Sequence, residues 1–311
     1  MSGVSRKTAA PLPGHSPIEK TSGRMLGMHS VAPPPKDPLT EPGPWNLIAK
    51  GYDEVFFEQV PALYEAAIEL LRPEEGDRIL DIAAGPGTLA VRVAPRVGHV
   101  VAIDFAEVML ERLRGHIMRS RVANVEAKLM DGQDLSFEDG SFDAAASLFG
   151  VCLFDDRKRG LEEMLRVVVP GGRVLSASWA APNVNTWLGV GDDALRAALP
   201  DIFGTPEPDR REQPTEDAEQ CESELVEIGF EPVSIHPFKQ SLRFASVSEY
   251  WEAYERTSAE LAVLARRLEP AAYAAATGRA REHLLATCGE GGFELDCAAL
   301  LALGERPLSA A

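Results

Sequence analysis

Three aspartates, each delivered by an apolar run, are the residues of this 311-residue chain best placed to do chemistry. Ile79-Leu80-Asp81-Ile82 brings the first to the mouth of Gly85-Pro86-Gly87-Thr88. The two glycines supply backbone angles barred to other residues and, lacking a Cβ, let a bulky ligand lie against the main chain. His99-Val100-Val101-Ala102-Ile103-Asp104 brings the second to a point 19 positions past Gly85, where an acid accepts hydrogen bonds from ribose hydroxyls. Asp131, ahead of Gly132, closes a third run from Val125 to Met130.

The glycine loop is ambiguous on its own, because Gly85-Pro86-Gly87-Thr88-Leu89-Ala90 also fits the dinucleotide fingerprint with alanine in the third small position. A diphosphate on the helix N-terminus would meet unwelcome negative charge from Asp81, so Asp81 suits a cationic ligand better. Each aspartate alone also reads as a helix cap or turn acid, Asp104 for a helix from Glu107 to His116. Three in a row at successive strand ends are hard to read that way.

The elements that must position them follow from periodicity and turn chemistry. A fourth strand, Phe142 to Phe149, follows the acidic turn Glu138-Asp139-Gly140, and a fifth, Arg173 to Trp179, is launched by a turn at Pro170-Gly171-Gly172. Leu63, Ala67, Leu70 and Leu71 recur at helical spacing before Pro73. Past the fifth strand the chain gives a short helical piece around Asp192 to Ala198, a proline-rich loop to Pro214, and a helix from Thr215 to Ile228 closed by Gly229. A strand from Phe230 through Phe244, an inserted block of two or three helices over Ser248 to Thr287, and a last strand from Glu294 to Leu303 complete it. Alternating strands and helices demand an α/β fold: a doubly wound, mostly parallel sheet with helices on both faces and a partial helical cap. In such sheets ligands sit beyond the carboxyl ends of the strands, where the three aspartates gather.

Five motifs in this order, Asp81-x-x-x-Gly85-x-Gly87, Asp104, Asp131-Gly132, Ser141-Phe142-Asp143 and Arg166-Val167-Val168-Val169-Pro170-Gly171-Gly172, give the chain a resemblance to the class I S-adenosylmethionine-dependent methyltransferases. The branch it resembles is the small-molecule one around the ubiquinone/menaquinone-biosynthesis enzymes. The resemblance covers roughly residues 45 to 180 and touches the C-terminus again at Ala298-Leu303-Gly304. It implies a seven-stranded Rossmann-like sheet and S-adenosyl-L-methionine as cofactor. By the same resemblance Ala83, Gly85 and Gly87 run under the methionine part and Asp81 faces its ammonium. Asp104 holds the ribose hydroxyls, and Phe105 and Met109 pack near the adenine. Asp131 and the Gly132 N–H face the adenine edge, Leu148 to Gly150 line the methyl-transfer side, and Tyr52 contacts the methionine end. The loop after the fifth strand and the helical insertion build the acceptor pocket, lined by Trp179, Trp187, Phe203, Tyr250, Trp251, Tyr254 and Tyr273, half or more of which read equally well as core.

The resemblance implies methyl transfer to the oxygen, nitrogen or carbon of a small molecule in cofactor or specialised metabolism. No residue stands out as a fixed catalyst; Asp155, His236 and His283 are the candidates for a general base, while His99 and His116 fall at element ends away from the site. Cys152 reads as a pocket-wall residue. Three alternatives stay open: an S-adenosylmethionine enzyme of other chemistry, a non-catalytic binding relative, and an NAD-dependent oxidoreductase, which Asp81 disfavours.

Composition narrows the partners. The formal net charge is −17, and residues 1–43 hold a slight excess of basic residues, so the remainder is more acidic still. Such a surface repels phosphate backbones, and nucleic acid is not an expected partner. No apolar run approaches a membrane span and no secretory apolar core is visible, which points to a cytoplasmic protein. Four scattered cysteines without a C-x-x-C pair indicate neither a disulfide framework nor a metal site. The organisation expected is a proline-rich disordered tail over 1–43, a cofactor-binding core over 44–180, and a loop and helix bordering the acceptor pocket over 181–214. A core helix and sixth strand follow over 215–247, an inserted helical cap over 248–290, and the last strand over 291–311. Oligomeric state is left open.

Overall fold

The computed structural model describes residues 38–203 and 217–308. Most of the expected tail and the loop through Pro206, Pro208 and Pro214 therefore lie outside the described residues. The chain enters through α1 (Pro42–Gln59), which begins inside the stretch expected to be tail, and α2 (Pro61–Leu71), each with a proline in its first turn. A proline there is pre-set for helix and forfeits only an N–H that has no intrahelical partner. The order continues β1 (Arg78–Ile82), α3 (Thr88–Val93), β2 (His99–Asp104), α4 (Glu107–Ser120), β3 (Val125–Leu129), β4 (Phe142–Leu148), α5 (Arg157–Val167) and β5 (Val168–Trp179). It closes with α6 (Thr186–Ala198), α7 (Pro200–Phe203), α8 (Ala218–Ile228), β6 (Val233–Phe244), α9 (Val247–Thr257), α10 (Ala259–Arg267), α11 (Pro270–Cys288) and β7 (Phe293–Glu305).

The strands form one seven-stranded sheet in the order β3-β2-β1-β4-β5-β7-β6, parallel except for β7, which runs antiparallel to both of its neighbours. Strands buried on both faces read as unbroken apolar runs, and successive residues feed opposite layers. Ile79, Val100 and Ala144 point into one layer with α2, α3 and α4, whereas Leu80, Val101 and Ala145 point into the other with α5 and α8. β5 starts five residues earlier than its apolar pattern suggests. Pro170-Gly171-Gly172 is an irregularity within the strand rather than a turn ahead of it: the register jumps from Phe142↔Val168 to Ala144↔Arg173, with Gly171 at φ 79°. The helix α6 is also longer than the short piece expected.

The insertion is three helices. Ser246 and Ser258 start α9 and α10 by accepting the Glu249 and Leu261 N–H groups at 3.2 and 3.1 Å, as N-caps do. α1 rests on α4, α9 and α10, while α6 packs on α9 and α11. His116 does not end α4 as the sequence suggests. It is buried inside the helix and its Nε2 lies 2.6 Å from Asp53 Oδ1, tying α1 to the core.

Gly87 belongs to this packing. It caps α3 at φ 84°, and a Cβ there would stand 2.1 Å from Leu113 Cδ1 on α4. Both the left-handed backbone and the overlap count against any side chain, so Gly87→Ala is expected to cost roughly 1–3 kcal/mol of stability in chemical denaturation. A variant as stable as the parent would show that α3 and α4 can separate without penalty.

Candidate active site

β1, β2 and β4 end side by side, and their ends floor a cavity of about 250 Å³. The first turn after β1 is strained. Ala83 sits at φ 54° and Gly85 at φ 55°, and the Ala84 N–H donates to the Ile103 carbonyl at 2.9 Å, pinning the loop to β2. The end of β4 mirrors it: Phe149 has φ 66°, and a Cβ on Gly150 would stand 2.3 Å from that of Ala83. Two non-glycine residues in left-handed geometry at adjoining strand ends are the kind of strain that collects at ligand sites.

The carboxylates are placed by backbone. Asp81 is buried, and its Oδ2 accepts the Ala90 N–H of α3 at 3.1 Å. Asp104 accepts Gly85 N–H on Oδ2 at 2.7 Å and Ala106 N–H on Oδ1 at 2.8 Å, so it holds the glycine loop and starts the turn into α4. The cap reading thus describes part of what each does, and both also border the cavity. Burial pushes the Asp81 carboxyl up to about 8, with the neighbouring Asp104 charge adding to it, and burial pushes Asp104 up to about 6. Asp131 is exposed at the rim and accepts Gln133 N–H on Oδ1 at 2.9 Å. Gln133, which sequence reasoning missed, also takes the Asp156 N–H on its Oε1 at 2.7 Å and so fixes the rim to the start of α5.

The cavity is lined by Tyr52, Asp81, Ala83, Gly85, Asp104 and Phe105, and by Met109, Asp131, Gly132, Leu148 and Asp155. Gly87 is not among its lining residues; its lack of a Cβ serves the contact with Leu113. Of the base candidates only Asp155 borders the cavity. His236 is on β6 with its Nε2 2.9 Å from Ser234 Oγ, and His283 is exposed on α11. Asp156, not Asp155, caps α5, accepting Arg159 N–H at 2.9 Å. Cys152 does not line the cavity, and burial pushes its thiol up to about 12.

Of the seven aromatics expected around an acceptor, Trp179 and Tyr254 line the cavity. Trp187, Tyr250 and Trp251 are buried core, which is where large rings usually go, and Phe203 and Tyr273 pack elsewhere. The rings that replace them come from nearer the N-terminus: Trp45 and Phe56 flank Tyr52 on α1, and Phe149 and Phe154 follow β4. Trp45, Tyr52 and Phe56 are spaced seven and four residues apart, one face of a helix, and that spacing was legible in the sequence.

The donor set fits S-adenosylmethionine. Burial holds the Asp81 carboxyl largely protonated at neutral pH and raises Asp104 less, and in a cavity whose described lining holds no lysine, arginine or histidine a ligand bringing an ammonium and a sulfonium favours their ionised forms. A diphosphate has nothing cationic to meet.

Comparison with known proteins agrees. Residues 79–172 match the family model described as "Methyltransferase domain". A demethylmenaquinone methyltransferase of Clavibacter sepedonicus is 42% identical over 122 residues, covering 38% of this chain and 48% of the relative. The chain spans about half the length of the curated relatives it matches. Among solved structures, the YcgJ protein of Bacillus subtilis superposes with a TM-score of 0.52 at 18% identity over 78% of this chain and 97% of its own. The [4+2]-cyclase SpnF gives 0.50 at 20% over 80% and 81%. At such identities the likeness is one of fold, and the cyclase's name shows that the fold alone does not dictate the chemistry. Residues 79–172 of this chain thus match a methyltransferase domain, and they lie in a seven-stranded sheet of the order β3-β2-β1-β4-β5-β7-β6.

Proposed function

We propose that the protein binds S-adenosyl-L-methionine across the ends of β1 to β3 and catalyses transfer of its methyl group to a small molecule held over β4 and β5. The observation that carries the reading is the convergence of Asp81, Asp104 and Asp131 on one cavity without a cationic lining residue among those described. In this reading Asp81 takes the ammonium, Asp104 the ribose hydroxyls and Asp131 the adenine amino group, with Phe105 and Met109 against the purine. Asp104 has lone pairs to spare for this, since each of its oxygens accepts one backbone N–H.

The bound cofactor supplies an electrophilic methyl group on a positively charged sulfur. The chain holds the nucleophile in line with it and excludes water. Correct near-attack placement is worth on the order of 7–11 kcal/mol. The rings of Tyr52, Phe56, Phe149 and Trp179 keep that space apolar. Asp155 remains the base candidate for acceptors that must lose a proton, since it alone of the three borders the cavity. The acidic surface argues for small molecules over nucleic acid, and no helix among the described residues is long and apolar enough to cross a membrane.

Calorimetry with S-adenosylmethionine, S-adenosylhomocysteine and NAD tests the assignment. The first two are expected to bind and NAD is not. Tight NAD binding with neither of the others would return the glycine loop to a dinucleotide.

A further inference from the structure

The proposed binding mode leaves one half of the cavity to the acceptor. On the β4–β5 side a continuous wall of rings runs from α1 to the sheet: Tyr52 and Phe56 have centroids 4.4 Å apart, Phe56 and Trp179 are at 5.9 Å, and Trp179 stacks on Phe149 at 3.8 Å and 12°. The carboxylate of Asp192 on α6 borders this region, and its Oδ1 accepts the Tyr254 hydroxyl at 2.7 Å; Asp155 after β4 and Glu260 on α10 also line the cavity and add to its negative charge.

That pair is built into the packing. A Cβ on neighbouring Gly191 would stand 2.4 Å from the Tyr254 ring and 2.6 Å from Tyr250 Oη, so only glycine lets α6 approach α9 closely enough for the bond. Tyr250 in turn donates to the Trp187 carbonyl at 2.8 Å, fixing the two helices in register. Burial holds the Tyr254 phenol well above its usual range, so it remains a donor to Asp192.

We propose that the acceptor is an amine carried on an apolar body, its nitrogen placed between the Asp192 carboxylate and the aromatic wall. The inference rests on the methyl-transfer reading and names the substrate class for the same site. Ring faces carry negative quadrupole potential and attract cations, and a carboxylate held beside them in an apolar cavity adds a directed partner. An anionic acceptor would meet only like charge, because no lysine, arginine or histidine lines the cavity among the described residues. A neutral ring would stack but bring nothing to offset the charge. After the ammonium gives its proton to solvent, the nitrogen lone pair forms the new bond to the methyl carbon. The carbon–sulfur bond breaks with its electrons left on sulfur, and the product leaves as the methylated ammonium. Asp192 acts here by recognising and orienting the acceptor, and Tyr254 by positioning Asp192.

Phenethylamine, phenethyl alcohol and phenylacetate share shape and differ in charge, which makes them suitable probes. Titrated calorimetrically into the full chain saturated with S-adenosylhomocysteine, the amine is expected to bind roughly tenfold or more tightly than the alcohol, with phenylacetate weakest. Asp192→Asn is expected to bring the amine and alcohol to within about twofold while S-adenosylhomocysteine affinity is kept. Tyr254→Phe, which keeps the ring, should lower the preference severalfold, and it serves if the asparagine variant does not fold. Equal binding of amine and alcohol by the parent protein, or a preference that survives Asp192→Asn, overturns the proposal while leaving the cofactor site standing. Failure of the parent to bind S-adenosylhomocysteine overturns the methyl-transfer reading, and this inference with it.

Discussion

Asp104→Ala is expected to weaken S-adenosylmethionine binding by roughly ten- to a hundredfold, the cost of about 1–3 kcal/mol for hydrogen bonds to a charged acceptor. The same change is expected to lower stability, because Asp104 also receives the Gly85 and Ala106 N–H groups in a buried site. Each donor left unpaired costs about 1–3 kcal/mol if no water replaces the carboxylate. The two effects separate by experiment. Asp104→Asn keeps the shape and one acceptor oxygen, so it is expected to restore most of the melting temperature while recovering affinity only in part. Calorimetry on the three proteins, with melting curves beside it, checks this. Unchanged affinity in the alanine variant would mean that the ribose lies elsewhere.

The second large effect is in pH. Asp81 is pushed up to about 8 and Asp104 to about 6, chiefly by burial, whereas an unfolded aspartate ionises near 3.9. A raised carboxyl pKa means that the folded protein holds protons the unfolded chain has released, so stability of the ligand-free protein falls as pH rises from about 4 to about 8 and levels off above. Binding reverses the balance, because a cationic ligand and ribose donors favour the ionised carboxylates. Affinity for S-adenosylmethionine is therefore expected to rise with pH up to about 8, by as much as a decade per pH unit for each carboxyl still protonated. Close to one proton is expected to be released per cofactor bound at pH 7, and more below 6. Calorimetry in buffers of differing ionisation enthalpy reads that proton directly. A flat affinity profile between pH 6 and 8 would mean that Asp81 is already ionised or does not meet the ligand. Asp81→Asn is the control, expected to flatten the profile above pH 6.

How far the site was legible can be traced residue by residue. Asp81, Asp104 and Asp131 could be placed together because parallel strands joined by helices all point the same way, so residues at their carboxyl ends meet whatever fills the rest of the chain. Gly85 and Gly87 look alike in sequence and are used differently: one opens the cavity floor, the other admits Leu113 from a helix some 25 positions onward. Nothing local distinguishes them. The same holds for the rings. Trp187 follows the fifth strand, and Tyr250 and Trp251 sit in the insertion, the two places where an acceptor pocket was expected, yet they fill the space between α6, α9 and β6, and α1 provides the cavity wall in their place. Asp192 was read only as the start of a helical piece, because its meaning depends on Tyr254, 62 positions away.

The sequence by itself determined the alternation of strands and helices, the three strand-end acids and the glycine loop, since each rests on local periodicity and backbone freedom. Only the tertiary structure decided which glycine serves packing, that the rings of α1 and the end of β4 wall the cavity, and that one carboxylate of α6 reaches it. Those outcomes depend on how helices distant in the chain dock across the sheet, where burial and close approach are settled between partners that no single segment encodes.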